Sequence, residues 1–132
     1  MILGFKKQFV EPILEGRKIH TIREDSHDRW KPGNTIQFAT GIRTKNYNCF
    51  KEGVCLGVQT IQIMHTIGTV TVYIDGSAFG SVFHHGLDDI YEYSNDLLDL
   101  AKNDGFEDLE SFFKWFNKDF KGKLIHWTDF KY

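Results

Sequence analysis

Between Asn34 and Phe83 the apolar residues recur with a period of two, and from Leu87 onward the period becomes helical. Strand side chains alternate faces, whereas apolar residues three and four apart share one helix face. Ile36 and Phe38 alternate with polar neighbours, and the polar stretch from Gly41 to Gly53 reads as a long loop or excursion. Val54-Cys55-Leu56-Gly57-Val58 and Ile61-Gln62-Ile63 then read as one long strand. Thr69 to Ile74 and Ala78 to Phe83 flank Asp75-Gly76, a strong hairpin turn. Past Leu87, Ser94 is the expected N-cap of a helix carrying Leu97, Leu98 and Ala101, which Asp104-Gly105-Phe106 ends. Leu109, Phe112, Phe113 and Phe116 mark a second helix with an apolar, core-facing stripe, and Lys123 to Trp127 a closing strand. Strands followed by segregated helices predict an α+β fold, here a small closed barrel of antiparallel or mixed strands with flanking helices.

The N-terminal segment adds one short helix. Ile2 to Phe9 reads as an extended entry, and Phe9-Val10-Glu11-Pro12-Ile13-Leu14-Glu15-Gly16 as a single compact turn of helix. Pro12 suits the first turn and Gly16 the left-handed position past the end. Ile19 to Arg23 is expected to be extended, and residues 24–33 a polar loop closed by Lys31-Pro32-Gly33. At 132 residues, against roughly 100 to 200 per domain, the chain predicts one domain spanning 1–132.

Composition narrows the function. A 41% hydrophobic and 26% charged balance is that of a folded protein, and 15% aromatic residues suit a packed core or an aromatic-lined pocket. A net charge of -2 argues against binding nucleic acid by bulk charge. The charge is nonetheless split: residues 1–50 hold nine bases and five acids, residues 51–132 seven and thirteen, so +4 and -6. Two cysteines, Cys49 and Cys55, cannot make a disulfide framework or a four-ligand zinc site. His84-His85 is no metal pair either, since neighbours on a strand point to opposite faces, so no metal is expected. No apolar run reaches the roughly 20 residues that cross a bilayer, and no leader is evident. A soluble, cytoplasmic protein with no membrane partner is expected.

The most specific stretch is Gly16-Arg17-Lys18-Ile19-His20-Thr21-Ile22-Arg23. With an aromatic-rich start, Gly33 before the next strand, Asp104-Gly105-Phe106 and Trp127, it resembles the ASCH domain, a barrel related to the PUA RNA-binding domains. The likeness covers about residues 5–38 and 97–132. The resemblance implies an RNA-binding or RNA-modifying module. One compact branch with Gly-Arg-Lys-x-x-Thr-Ile-Arg hydrolyses the acetyl amide of N4-acetylcytidine, using a Lys and a Thr of that motif and a distant Glu. By position these roles fall on Lys18, Thr21 and Asp104, the last one methylene shorter than the family's acid.

The residues bear independent scrutiny. A Thr hydroxyl is a poor nucleophile until a base takes its proton. A Lys can be that base, or a cation facing an oxyanion, where burial or the nearby Arg17 and Arg23 lower its pKa. Positions 18 and 21 of a regular strand face opposite sides, so convergence requires Lys18 to sit in the bend after Gly16. Two readings follow. In the first, the protein is an amidohydrolase for a small acylated nucleoside, without a cofactor. In the second, it is a non-catalytic module holding RNA or a nucleotide through Arg17, His20, Arg23, Arg29 and Lys31, with Trp30 stacking on a base. A protein partner is a third, blander option.

Overall fold

The computed structural model describes residues 1–85, 89–92 and 95–132, with side chains described outside 84–95. Leu87 and Ser94, the expected onset and cap of the helical region, and the side chains of His84 and His85 lie outside the described residues. The chain runs β1 (Ile2–Gly4), a 3-10 turn (Lys7–Phe9), α1 (Val10–Leu14), β2 (His20–Arg23), β3 (Thr35–Thr40) and β4 (Asn48–Val54). It continues through β5 (Gly57–Thr66), β6 (Thr69–Ile74), β7 (Ser77–His85), β8 (Asp89–Glu92), α2 (Asn95–Asn103), α3 (Leu109–Trp115) and β9 (Phe120–His126). The fold is α+β.

These strands form two open sheets and, among the described residues, no closed barrel. One sheet has the order β1-β3-β4, with β1 parallel to β3. The other has the order β2-β9-β5-β6-β7-β8 and is antiparallel throughout. The expected continuous strand from Val54 to Ile63 is interrupted where the chain changes sheet. Cys55 N–H donates to Asn34 O and its carbonyl accepts from Gly33 N–H, both at 2.8 Å, while Leu56 N–H turns to His126 O at 2.8 Å. Two successive residues thus bond to different sheets. The polar stretch after Gly41 is shorter as a loop than expected, because β4 already begins at Asn48 and pairs with β3. β8 is a second departure, a strand paired with β7 inside the region read as helical.

The alternation on β6 is realised directly, with Val70, Val72 and Ile74 buried between more exposed residues. At nine and seven residues, α2 and α3 are too short to persist alone. Packing places them: Leu97, Leu100, Ala101 and Phe112 are fully buried with Phe38, Ile63, Leu124 and Ile125. Each buried Leu, Ile or Phe contributes about 1.5–3 kcal/mol, well above any propensity term. α3 is also capped by Asp108, whose carboxylate accepts from Ser111 N–H at 2.8 Å. The end of α2 is held beside the start of β2 by Ile19 N–H, which donates to Asn103 O at 2.8 Å. No helix among the described residues is long and apolar enough to cross a membrane.

Candidate active site

The end of α1 sets the position of Lys18. Gly16 takes a left-handed φ of 79°, after which the Arg17 and Lys18 amides both donate to Pro12 O, at 2.9 and 3.0 Å. Ile19 N–H then reaches Asn103 O at 2.8 Å, tying this bend to the end of α2. Lys18 therefore precedes β2 and escapes strand alternation, as convergence with Thr21 requires. Gly105, with φ 92°, lies flat against it: a Cβ there would come within 2.9 Å of Lys18 Cδ and 3.0 Å of Phe9 Cδ1.

Lys18 is 2% exposed, and its side-chain nitrogen is seated on Asp104. Lys18 Nζ donates to Asp104 O at 2.6 Å and to Asp104 Oδ1 at 3.1 Å. It also stands over the Phe9 ring at 4.8 Å and the Phe5 ring at 5.7 Å. Burial pushes the Lys18 pKa down; Asp104 opposes that shift and Arg23 adds to it. Thr21 lies on β2 and its Oγ1 accepts from Arg23 Nε at 3.1 Å. Arg23 lies two residues on, on the same face, with its guanidinium 4.9 Å over the Phe5 ring.

Lys18, Thr21, Arg23 and Asp104 line one cleft of about 410 Å³. Its apolar walls come from Phe5, Phe9, Phe106, Trp115 and Phe116, and Lys6 reaches over Trp115 at 5.0 Å. Gly41 and Ile42 close one side, so the segment after β3 does contribute to the cleft. Ile42 lies against the N-terminal strand, since a Cβ on Gly4 would meet its Cδ1 at 2.5 Å. Among the described residues a larger opening, about 830 Å³, lies beside the loop after β2. Of its charged lining residues, Lys123 pairs with Asp25 at 3.4 Å and with Asp28.

The remaining sequence candidates lie elsewhere. Arg17 is exposed and donates to Glu15 at 2.7 Å. Arg29 and Lys31 are exposed on the loop after β2 and do not line the cleft. Trp30, expected to offer an exposed face for stacking, is instead buried in the core. Asp25 accepts from the Arg29 and Trp30 amides at 2.9 and 3.0 Å and turns the loop inward. His20 is fully buried behind the cleft: Nδ1 lies 3.1 Å from Asp104 Oδ1 and Nε2 2.6 Å from Tyr132 Oη.

Sequence reasoning missed the outer half of this arrangement. Phe5, Phe9 and Ile42 carry no motif. Trp115 lies off the Leu109/Phe112/Phe113/Phe116 stripe, and a large aromatic on a helix's polar side is the signal that could have found it. Behind His20, His126 is paired in register with it and its Nε2 lies 3.0 Å from Gln59 Oε1. Burial, with the neighbouring His20 and Lys131, lowers the His126 pKa to about 4. Compared with protein family models, curated proteins and solved structures, the chain gives no match.

Proposed function

We propose that the protein is a metal-independent amidohydrolase of N4-acetylcytidine or a related small acylated nucleoside. The observation that carries this reading is a buried, Asp104-bound Lys18 sharing one cleft with Thr21. A neutral Lys18 amine has two N–H bonds, enough for both Asp104 acceptors, and keeps its lone pair for the Thr21 hydroxyl proton. Desolvation favours that neutral form. Arg23 Nε, already donating to Oγ1, stabilises the oxygen as its proton leaves.

Thr21 Oγ1 attacks the acyl carbonyl and the C–N bond breaks. The proton held by Lys18 passes to the departing nitrogen. Water, activated by the same amine, hydrolyses the acyl-Thr21 ester and releases acetate. A PUA-like (ASCH) relationship belongs to the same proposal, supported by the Gly16–Arg23 motif and by the parallel β1–β3 pair beside an antiparallel sheet. A cytoplasmic setting fits two free thiols, Cys49 and Cys55. The RNA-binding alternative has less in its favour, because Trp30 is buried and Arg17, Arg29 and Lys31 lie off the cleft.

Purified protein is expected to convert N4-acetylcytidine to cytidine and acetate with no added metal. No hydrolysis across a panel of acylated nucleosides, alongside RNA binding that weakens steeply with salt, would transfer the cleft to the binding reading. The cleft wall makes a second prediction. Ile42→Ala removes bulk beside the site, so the butyryl-to-acetyl rate ratio is expected to rise about 10-fold, the scale of a methylene or two in a fitted pocket. Competition kinetics on paired substrates measures it, and an unchanged ratio removes Ile42 as a selector of acyl length.

A further inference from the structure

We propose that His20 is a positioning residue for the Lys18–Asp104 pair, held in one tautomer by a directed hydrogen-bond chain from Asn103 and Tyr132. The catalytic consequence rests on the amidohydrolase reading, whereas the tautomer rests on geometry alone.

The direction follows from which atoms can donate. Asn103 Nδ2 is a donor and points to Tyr132 Oη at 3.1 Å. The Tyr132 hydroxyl then spends its single hydrogen on His20 Nε2, 2.6 Å away. Burial raises the Tyr132 pKa, so the phenol keeps that hydrogen. With Nε2 accepting, the ring hydrogen sits on Nδ1 and is donated to Asp104 Oδ1 at 3.1 Å. The same oxygen accepts from Lys18 Nζ at 3.1 Å. The carboxylate oxygen is thus pinned from two sides, by His20 and by Lys18.

The ring has little room to turn away. His20 is 0% exposed, and His126 meets it edge-on, with ring centroids 5.3 Å apart and an 83° interplanar angle. Tyr132 is itself anchored, its N–H donating to Gln59 Oε1 at 2.9 Å and its carbonyl accepting from Gln59 Nε2 at 2.8 Å. The groups facing His20 are Lys18 from the bend, Asp104 after α2, His126 from β9 and Tyr132 from the tail. Burial lowers its pKa more than Asp104 raises it, so His20 stays neutral. The imidazole does not line the cleft, and both its nitrogens are engaged, which excludes substrate contact. Its effect runs through Asp104: by sharing Oδ1 it weakens the carboxylate's hold on the Lys18 proton and fixes the amine's seat.

Long-range proton–nitrogen NMR on the whole protein reads the tautomer directly. Nδ1–H is expected, and Nε2–H overturns the proposal. Two variants then separate the nitrogens: His20→Asn keeps an N–H where Nδ1 was, and His20→Gln mimics only Nε2. His20→Asn is expected to stay within about fivefold of wild-type kcat, and His20→Gln to lose about 100-fold with little change in KM, the scale of a misplaced catalytic group. The acidic limb of the kcat/KM profile should move to higher pH in His20→Gln, because Asp104 then holds the Lys18 proton more tightly. Equal losses in the two variants with an unmoved limb would mean a structural role only and overturn the proposal. If wild type hydrolyses nothing, the amidohydrolase reading fails separately. The Lys18 pKa in His20→Gln, followed by NMR, still decides: an upward shift supports positioning and no shift overturns it. The tautomer needs no variant, so it decides even where His20→Gln does not fold.

Discussion

Thr21→Ala protein is expected to fold normally and to hydrolyse N4-acetylcytidine roughly 10,000-fold or more slowly than wild type, because the attacking atom is gone. The structural loss is small: one hydrogen bond from Arg23 Nε and one buried methyl-sized contact. Acetate release measured beside a thermal melt separates the two effects. Lys18→Ala should be about as damaging, since residues acting as one unit lose nearly everything singly. Asp104→Glu, which gives the carboxylate the length found in the acetylcytidine-hydrolysing branch that the motif resembles, is expected to preserve or raise activity. Full turnover by Thr21→Ala would sink the nucleophile while sparing the enzyme.

Asp104→Asn carries the largest expected effect on stability. Where Lys18 is protonated, it leaves that cation buried without its carboxylate, a change of about 3–5 kcal/mol where one partner of a buried pair is removed. Where Lys18 is the neutral amine, only the hydrogen bonds from Lys18 and His20 to the carboxylate are altered. The pH dependence identifies the cause. Lys18 has a folded pKa below its ordinary 10.5, so between those two values the unfolded chain binds a proton that the folded chain has released. Stability from this group therefore rises with pH through that window and is lost as pH falls through it. In Asp104→Asn the folded pKa drops further, because the raising influence of the carboxylate is gone. The deficit against wild type is thus expected to be largest where Lys18 is protonated in both folded proteins and to shrink as pH rises through the window between their two folded pKa values, both below 10.5. Urea unfolding at a series of pH values measures it, and a deficit that grows with pH would refute the assignment to Lys18.

Much of the fold was legible where its cause is local. The Asp75-Gly76 turn takes the two left-handed φ values, 52° and 81°, that its residues suit, and the Gly16 and Gly105 helix ends read correctly for the same reason. The strand break at Cys55–Leu56 was not legible, because its partners, Asn34 and His126, are remote in sequence. β8 was hidden likewise: Asp89–Glu92 lacks alternation, and its partner is the backbone of β7. Trp30 sits in a polar stretch, and nothing local says that Asp25 will cap the loop and send the ring inward.

At the site, Lys18 and Thr21 were readable within one motif, with the bend after Gly16 as the condition for bringing them together, whereas Asp104 came only from the family resemblance. Tyr132, Asn103 and Gln59 were not readable. Isolated polar residues have no periodicity, and their partners are set only once β2, β9 and the tail are side by side.

The pairing of β2 with β9, His20 opposite His126 and Thr21 opposite Ile125, gives the motif a fixed phase. On this short strand Thr21 and Arg23 face the cleft and His20 faces Asp104 and Tyr132. Chain length is free to vary in the exposed residues 43–47, beyond the Gly41–Ile42 wall of the cleft. Between Lys18 and Thr21 it is not: one residue gained or lost there would rotate imidazole and hydroxyl into each other's places.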